Sequence, residues 1–246
     1  MAVAANNKTD NVGTEEKELQ IKSKERVAEH GEVFTAEREV NAMLDLVKQE
    51  TERIDSRFLE PACGNGNFLV EILRRKLNVI RRTNDLPHGS RTSFDKANCE
   101  LVQAVGSMYG IDIMQDNVDE CRQRLERIVS NWYVCAHPGC QLDGELLLTI
   151  RYVLRRNILW GDALTLCEPT PEGNAEGKPI VFSEWGFIGP KVKRRDYTLD
   201  MLLRNQPMQE PNLFSDLGDE AFIPTPCAEY PPIHFLKIYT QDVTRQ

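Results

Sequence analysis

Residues 58–68, which read Phe-Leu-Glu-Pro-Ala-Cys-Gly-Asn-Gly-Asn-Phe, constrain the fold of this chain more than any other stretch. A short apolar run ends in a carboxylate, two glycines follow one residue apart, and an apolar pattern of helical spacing comes next. This order predicts a strand, a tight turn and a helix that starts near Asn67. Gly64 and Gly66 lack a Cβ atom, so a ligand can approach the turn closely. The helix N-terminus presents free N–H groups to the same place.

Segments of strand and helix character alternate through most of the chain. Besides the strand at 58–60 and the helix after it, strands are predicted at 109–113, 157–160 and 180–182, and helices at 36–53, 94–108, 118–129 and 146–156. We expect Thr35 to be the N-cap of the helix at 36–53. The alternation predicts an α/β fold with a Rossmann-like, doubly wound, mostly parallel sheet.

Composition indicates how the chain is organised. Residues 1–22 are polar and charged, so we expect a disordered or frayed tail, followed by one domain over 23–187 and a C-terminal extension over 188–246. An apolar fraction of 41% can form a core, and no run is apolar enough to span a membrane or to act as a secretory signal. Seven cysteines, an odd number, fit reduced thiols in the cytoplasm. A net charge of −8 disfavours a lone, tight nucleic-acid binder.

Carboxylates stand at the ends of two further predicted strands. In doubly wound sheets the ligand binds beyond the carboxyl ends of the strands. Asp112 ends the second strand, where it can accept hydrogen bonds from ribose hydroxyls, and Asp162 follows the third, where it can accept from an adenine amino group. The alternatives are an N-cap or turn role for Asp112 and a Gly-Asp turn for Asp162.

Four segments in order resemble one protein family. Residues 58–68 resemble the S-adenosylmethionine (SAM) motif Asp-Pro-Ala-Cys-Gly-x-Gly-x-Phe of bacterial N6-adenine DNA methyltransferases from restriction–modification systems, with Glu60 in place of the aspartate. Residues 30–36 resemble the family's Gly-x-Val-Phe-Thr-Pro segment, with Ala36 in place of proline. The segments around Asp112 and at 157–164 match the next two motifs, in the family's gamma order.

The resemblance implies a class I SAM-dependent methyltransferase fold with SAM as cofactor. It implies that Phe34 and Thr35 line the cofactor pocket and that Asp112 holds the ribose. It also implies that Ile113 flanks the adenine ring and that Asp162 contacts the adenine. The turn would supply the remaining cofactor contacts: Glu60, Pro61, Ala62, Gly64, Gly66 and Asn67. The implied function is SAM-dependent methylation of adenine N6 in DNA, within a restriction–modification or phage-related system.

The catalytic motif of that family is missing. The family places Asn/Asp-Pro-Pro-Tyr/Phe after the fourth strand, where it accepts the amine hydrogens and stacks on the flipped base. Here the corresponding residues are Ser183, Glu184 and Trp185. Our hypothesis is that Glu184 accepts from the amine and Trp185 stacks on the base, with Ser183 as a weaker candidate. The alternative is a core strand at 182–187.

Two other functions therefore stay open. One is a catalytically silent SAM-binding subunit that regulates or scaffolds a partner methyltransferase, and the other is methylation of a different substrate. Only a short stretch follows Trp185, so we expect a specificity or catalytic partner subunit to supply target recognition.

A basic run near the C-terminal extension is a candidate DNA contact. Lys191, Lys193, Arg194 and Arg195 stand among aromatic residues, a mixture that suits a nucleic-acid backbone. A solvated hairpin is the competing interpretation.

Cys135, His137 and Cys140 are possible zinc ligands. They lack a fourth ligand and the common Cys-x-x-Cys spacing, so a loop with incidental thiols and no metal is expected.

Overall fold

The computed structural model describes residues 21–170, 177–203 and 224–242; most of the predicted N-terminal tail, residues 1–20, lies outside this part. The helices are α1 (Lys24–His30), α2 (Glu37–Asp45), α3 (Lys48–Thr51), α4 (Asn67–Thr83), α5 (Arg91–Gly106), α6 (Gln115–Ala136), α7 (Gly144–Asn157) and α8 (Leu199–Leu203). The strands are β1 (Phe58–Glu60), β2 (Met108–Asp112), β3 (Ile158–Trp160), β4 (Val181–Ile188), β5 (Lys191–Thr198), β6 (Ala228–Glu229) and β7 (Ile233–His234). A 3-10 helix over Phe235–Thr240 follows β7.

The fold is mixed α/β and contains a parallel three-stranded sheet in the order β1-β2-β3. Glu60 is in register with Gly110, and Asp112 is in register with Trp160. Because the strands run in the same direction, their carboxyl ends meet at one edge of the sheet. The residues that follow the three strands are thereby brought together.

The main core lies among the helices that connect these strands. Leu69, Leu73 and Leu77 form the buried stripe of α4, and Leu125 and Ile150 do the same for α6 and α7. The C-terminal 3-10 helix packs on α7, where the Thr149 hydroxyl donates to the Phe235 carbonyl over 3.2 Å. None of the helices in the described ranges is long and apolar enough to cross a membrane.

The segment predicted as one helix over 36–53 is two helices, α2 and α3. The chain departs from helical geometry at Val47, whose φ and ψ are −119° and 31°. Val47, the next apolar residue of the stripe after Leu44, is 45% exposed, so the stripe is interrupted there and little packing energy holds a longer helix together. The N-cap of α2 is Ala36 without a side-chain hydrogen bond, so the prediction of Thr35 as N-cap was wrong.

The strand predicted at 180–182 does not join the parallel sheet. It begins at Val181, extends to Ile188 and pairs antiparallel with β5, in a second sheet to which β6 and β7 add. Gly189, with φ of 57°, and Pro190 reverse the chain directly after β4. A hairpin partner two residues away is reached more easily than a parallel one, which requires a crossover.

Candidate functional site

A crevice of about 560 Å³ opens at the carboxyl edge of the parallel sheet. Its walls come from four separate segments, which are residues 31–35, 60–68, 112–117 and 161–164. Its volume lies within the range of pockets that enclose small molecules and cofactors. The parallel register explains why segments so far apart in sequence share one site.

The glycine turn forms the centre of the crevice. Gly64 has φ of +52°, and its N–H donates to Asp112 Oδ2 over 2.8 Å. A Cβ atom on Gly64 would lie 3.0 Å from the Phe34 ring, so this close contact between backbone and ring favours glycine. The turn ends at Asn67, where α4 begins and presents its N-terminal N–H groups.

Asp112 anchors the site and is itself only 8% exposed. Besides Gly64, its carboxylate accepts from the Met114 N–H over 2.9 Å and from the Asn117 amide over 3.2 Å. A carboxylate offers about four acceptor sites, so these bonds leave one for a ligand. Asp112 thus has the turn-stabilising role and also lines the crevice.

The segment at 31–35 forms an outer wall that is tied to α4 and α6. The Asn67 amide donates to the Thr35 carbonyl over 2.9 Å, and Arg124 donates to Asn67 Oδ1 over 2.7 Å. On the other side, the Asn117 amide donates to Glu32 Oε1 over 2.6 Å. These bonds hold Phe34 and Thr35 at the mouth of the glycine turn.

Asp162 closes the opposite end of the crevice. Its Oδ1 accepts from the Leu164 N–H over 2.8 Å, which is the hydrogen bond of an Asx turn. The Gly161 N–H donates to the Asp112 carbonyl over 3.0 Å, so the turn is attached to the end of β2. Ile113, 46% exposed, offers an apolar face to the same space.

The lining of the crevice is acidic. Four carboxylates face or border it, from Glu32, Glu60, Asp112 and Asp162, and no lysine or arginine lines it within the described residues. Glu32 forms an ion pair with Arg26 over 2.6 Å, which leaves three carboxylates without a cationic partner in the described ranges. Burial raises the pKa of the Glu60 carboxyl above its ordinary value, while the Ala62 N–H opposes this shift. Such a site attracts a cationic ligand and disfavours a phosphate-bearing one such as a dinucleotide.

The structure brings together nearly all the residues that the sequence assigned to a cofactor. Ten line the crevice: Phe34, Thr35, Glu60, Pro61, Ala62, Gly64, Asn67, Asp112, Ile113 and Asp162. Gly66 does not line it and instead allows close packing, because a Cβ atom there would lie 2.5 Å from Cys121 Sγ. Sequence reasoning missed Glu32 and Asn117, although Asn117 stands in the first turn of the helix after Asp112.

Two of the three catalytic candidates are buried away from the crevice. Trp185 packs on Gly106 and donates its indole N–H to Asn157 Oδ1 over 3.2 Å. The Ser183 hydroxyl donates to Asp196 Oδ1 over 2.8 Å and accepts from Arg156. Side chains alternate between the faces of a strand, so both point to the core while Glu184 points the other way.

Glu184 lies in a different cavity of about 570 Å³, lined partly by Tyr109, Phe182 and Tyr197. Its carboxylate forms ion pairs with Arg57 over 2.5 Å and with Arg195 over 3.5 Å. The carboxylate that was expected to accept from a substrate amine is therefore already paired with two guanidinium groups.

The basic run lies on β5 and is not a uniformly exposed patch. Arg194 is 1% exposed, between Asp196 at 2.6 Å and Asp242 at 2.7 Å, with its guanidinium 4.1 Å from the centre of the Tyr230 ring. Strand alternation turns it inward, which corrects the expectation that all four cations face DNA. Lys193 and Arg195 form ion pairs with Glu229, over 2.8 and 3.4 Å, while Lys191 is exposed.

The possible zinc ligands do not converge. His137 is buried and stacks on Tyr133 with ring centres 4.1 Å apart, whereas Cys135 and Cys140 are exposed. Burial lowers the pKa of the His137 imidazole. In the part of the chain that the structure describes, no three His, Cys, Asp or Glu residues are grouped so that they could hold a metal ion.

Comparisons of the chain with protein-family models, curated proteins and solved structures gave no match. Function is therefore inferred from the geometry and charge of the site.

Proposed function

We propose that the crevice binds SAM and that the chain is a Rossmann-like, SAM-dependent DNA methyltransferase acting on adenine N6. The observation that carries the proposal is the acidic lining around a glycine turn, in which Glu60, Asp112 and Asp162 have no cationic partner among the described residues. SAM bears a sulfonium and an ammonium group against one carboxylate, so its net charge is positive at neutral pH. The ordered resemblance of residues 30–164 to the adenine methyltransferases supports the same ligand.

Each wall of the crevice has a group suited to one part of that ligand. Asp112 retains an acceptor site for a ribose hydroxyl, and Asp162 has a second carboxylate oxygen for an exocyclic amine. The exposed Ile113 side chain offers an apolar surface to a purine ring. The N–H groups at the start of α4 suit a carboxylate, and Glu60 suits an ammonium group.

When bound, SAM supplies a methyl group on sulfur, which a substrate nitrogen takes up as the carbon–sulfur bond breaks. The chain's own residues orient the two partners and exclude water. Glu184 is the candidate acceptor for the amine hydrogens. Its ion pairs with Arg57 and Arg195 would have to loosen first.

A second candidate function is a catalytically silent SAM-binding subunit of a methyltransferase complex. The burial of Ser183 and Trp185 and the pairing of Glu184 favour it. Incubation of the isolated chain with methyl-labelled SAM and DNA separates the two functions. Label in DNA supports the enzyme, whereas SAM binding with transfer only after a partner chain is added supports the silent subunit.

Titration calorimetry with SAM tests the proposal directly. We expect the wild-type chain to bind SAM, and Glu60→Gln and Asp162→Asn to weaken binding by about tenfold each, because each removes one charge-assisted contact of ~1.4 kcal/mol. Asp95→Asn, at an exposed position of α5, is the matched control and should leave the affinity unchanged. Absence of SAM binding, or tighter binding of ATP than of SAM, would contradict the proposal.

A further inference from the structure

A third cavity, of about 580 Å³, lies beside the outer strand of the parallel sheet. It is bounded by α6, the end of α7, strand β3 and residues 178–181. Strand β3 pairs only with β2 among the described strands, so this cavity faces its free edge. Among the described residues, the cations that line it are Arg122, Arg155, Arg156 and Lys178, and the one carboxylate is that of Glu168.

Two of these cations are fixed in place by the fold. The Arg122 guanidinium donates to the Ile158 carbonyl over 2.9 and 2.5 Å. Arg156 donates to Asp196 Oδ2 over 2.8 Å, and Asp196 is shared with the buried Arg194. These hydrogen bonds thus hold both guanidinium groups in position at the cavity. The Asp196 carboxylate binds two guanidinium groups, those of Arg156 and Arg194.

The other two cations have no carboxylate partner. Arg155 and Lys178 are exposed, and neither forms an ion pair or side-chain hydrogen bond with any residue in the described ranges. Arg155 is also close enough to Arg122 for the two charges to repel each other. A chain with a net charge of −8 has thus gathered four cations around one cavity. An anion bound there removes this repulsion.

Trp160 connects the cavity to the acidic crevice through a hydrogen bond. The Trp160 indole N–H donates to the Ile113 carbonyl over 2.8 Å, and Ile113 lines the crevice. Trp160 itself lines the basic cavity. An aromatic side chain among cations is the combination that binds the backbone and bases of single-stranded nucleic acid.

We infer that this cavity binds a phosphate group of a nucleic-acid strand, with Arg155 and Lys178 as the ionic contacts and Arg122 and Arg156 as fixed donors. Guanidinium groups suit phosphate oxygens because they donate in a planar fork. The inference that the phosphate belongs to a nucleic-acid strand rests on the proposed function, whereas the inference that the cavity binds phosphate does not. The site differs from the predicted contact on β5, where Arg194 is buried and two of the other three cations are paired.

Fluorescence anisotropy with a labelled oligodeoxynucleotide, single-stranded and duplex, tests this inference on the full chain at several salt concentrations. Arg155→Ala combined with Lys178→Ala should weaken binding and lower the slope of log affinity against log salt by about one, because the two cations together neutralise one phosphate group. The matched control is Arg81→Ala with Arg82→Ala, which removes the same charge from the exposed end of α4. Its salt slope should equal that of the wild type.

The outcomes separate the sources of phosphate. In one outcome, inorganic phosphate or adenosine monophosphate quenches Trp160 fluorescence but the oligonucleotide does not bind. That outcome would support a phosphate site and overturn the inference that its ligand is nucleic acid. Equal losses in the two double variants, or no binding of any phosphate, would overturn the inference altogether. A Trp160→Phe chain shows which part of the signal comes from this indole. Calorimetry with SAM on the same proteins shows separately whether the proposed function fails.

Discussion

At the scale of single residues, the two glycines of the central turn have different tasks. Gly64 lets the backbone approach Phe34 and gives its N–H to Asp112. Gly66, with φ of +91°, lets α4 approach Cys121 on α6. The first glycine therefore serves the crevice, whereas the second serves the packing that keeps the crevice in place.

We expect Gly66→Ala to lower the free energy of unfolding by at least about 2 kcal/mol, measured by chemical denaturation. The backbone at this position holds an alanine in the left-handed region, and the added methyl group collides with Cys121 Sγ. Gly139→Ala is the matched control, because Gly139 has φ of +79° but nothing within 4 Å of the added atom. Equal losses in the two variants would show that backbone strain alone, and not the contact between α4 and α6, accounts for the effect.

At the scale of elements, a buried lysine attaches α4 to the segment that precedes β1. Lys76 is fully buried, and its ammonium group donates to the Ser56 carbonyl over 2.5 Å, the Ile54 carbonyl over 3.1 Å and Ser107 Oγ over 2.5 Å. Burial lowers the pKa of Lys76 to about 7, although the charges of Asp55 and Glu50 favour the protonated form.

This burial predicts how stability depends on pH. Between about pH 7 and the ordinary lysine pKa of 10.5, the unfolded chain binds more protons at this side chain than the folded chain does. The free energy of unfolding should therefore rise with pH in this window, by at most ~1.4 kcal/mol per pH unit, and this contribution should be flat below pH 7. Chemical denaturation at a series of pH values gives the slope of unfolding free energy against pH for the wild type and for Lys76→Met. The difference between the two slopes is the contribution of Lys76. The same slope in both proteins would contradict the prediction.

At the scale of the whole molecule, two neighbouring cavities carry opposite charge. The crevice at the strand ends is lined by carboxylates, and the cavity beside β3 is lined by guanidinium and ammonium groups. Trp160 lies between them. Opposite charges at adjacent sites suit a cationic cofactor beside an anionic substrate, because each site repels the ligand of the other.

Cofactor binding should stabilise the whole domain. A ligand that binds only the folded chain adds about 2.7 kcal/mol to the free energy of unfolding when its concentration is one hundred times its Kd. This increase raises Tm by roughly 5–10 °C for a chain of this size. A thermal melt with saturating SAM should show this rise. The same melt with NAD should show none, since the acidic lining repels pyrophosphate. A rise with NAD alone would contradict the charge argument.

Much of the parallel half of the fold could be predicted from local patterns. The turn at 58–68, the strand at β2 and the helices α4 and α6 follow from apolar spacing and glycine placement, which act over a few residues. Local patterns did not show that α2 would end at Asp45, because they do not reveal that Val47, the next apolar residue of the stripe, stays 45% exposed. They also did not show that β4 would pair with β5.

The sequence by itself determined the strand–turn–helix unit and placed the residues that directly follow the three strands at the crevice, because parallel strand order carries each post-strand residue to one edge. Only the tertiary structure decided which faces of β4 and β5 are buried, since that depends on what packs against them. It turned Trp185 and Arg194 inward and left Glu184 paired with two arginines. It also assembled the cations beside β3 from α6, α7 and the segment before β4, a grouping that no local pattern specifies.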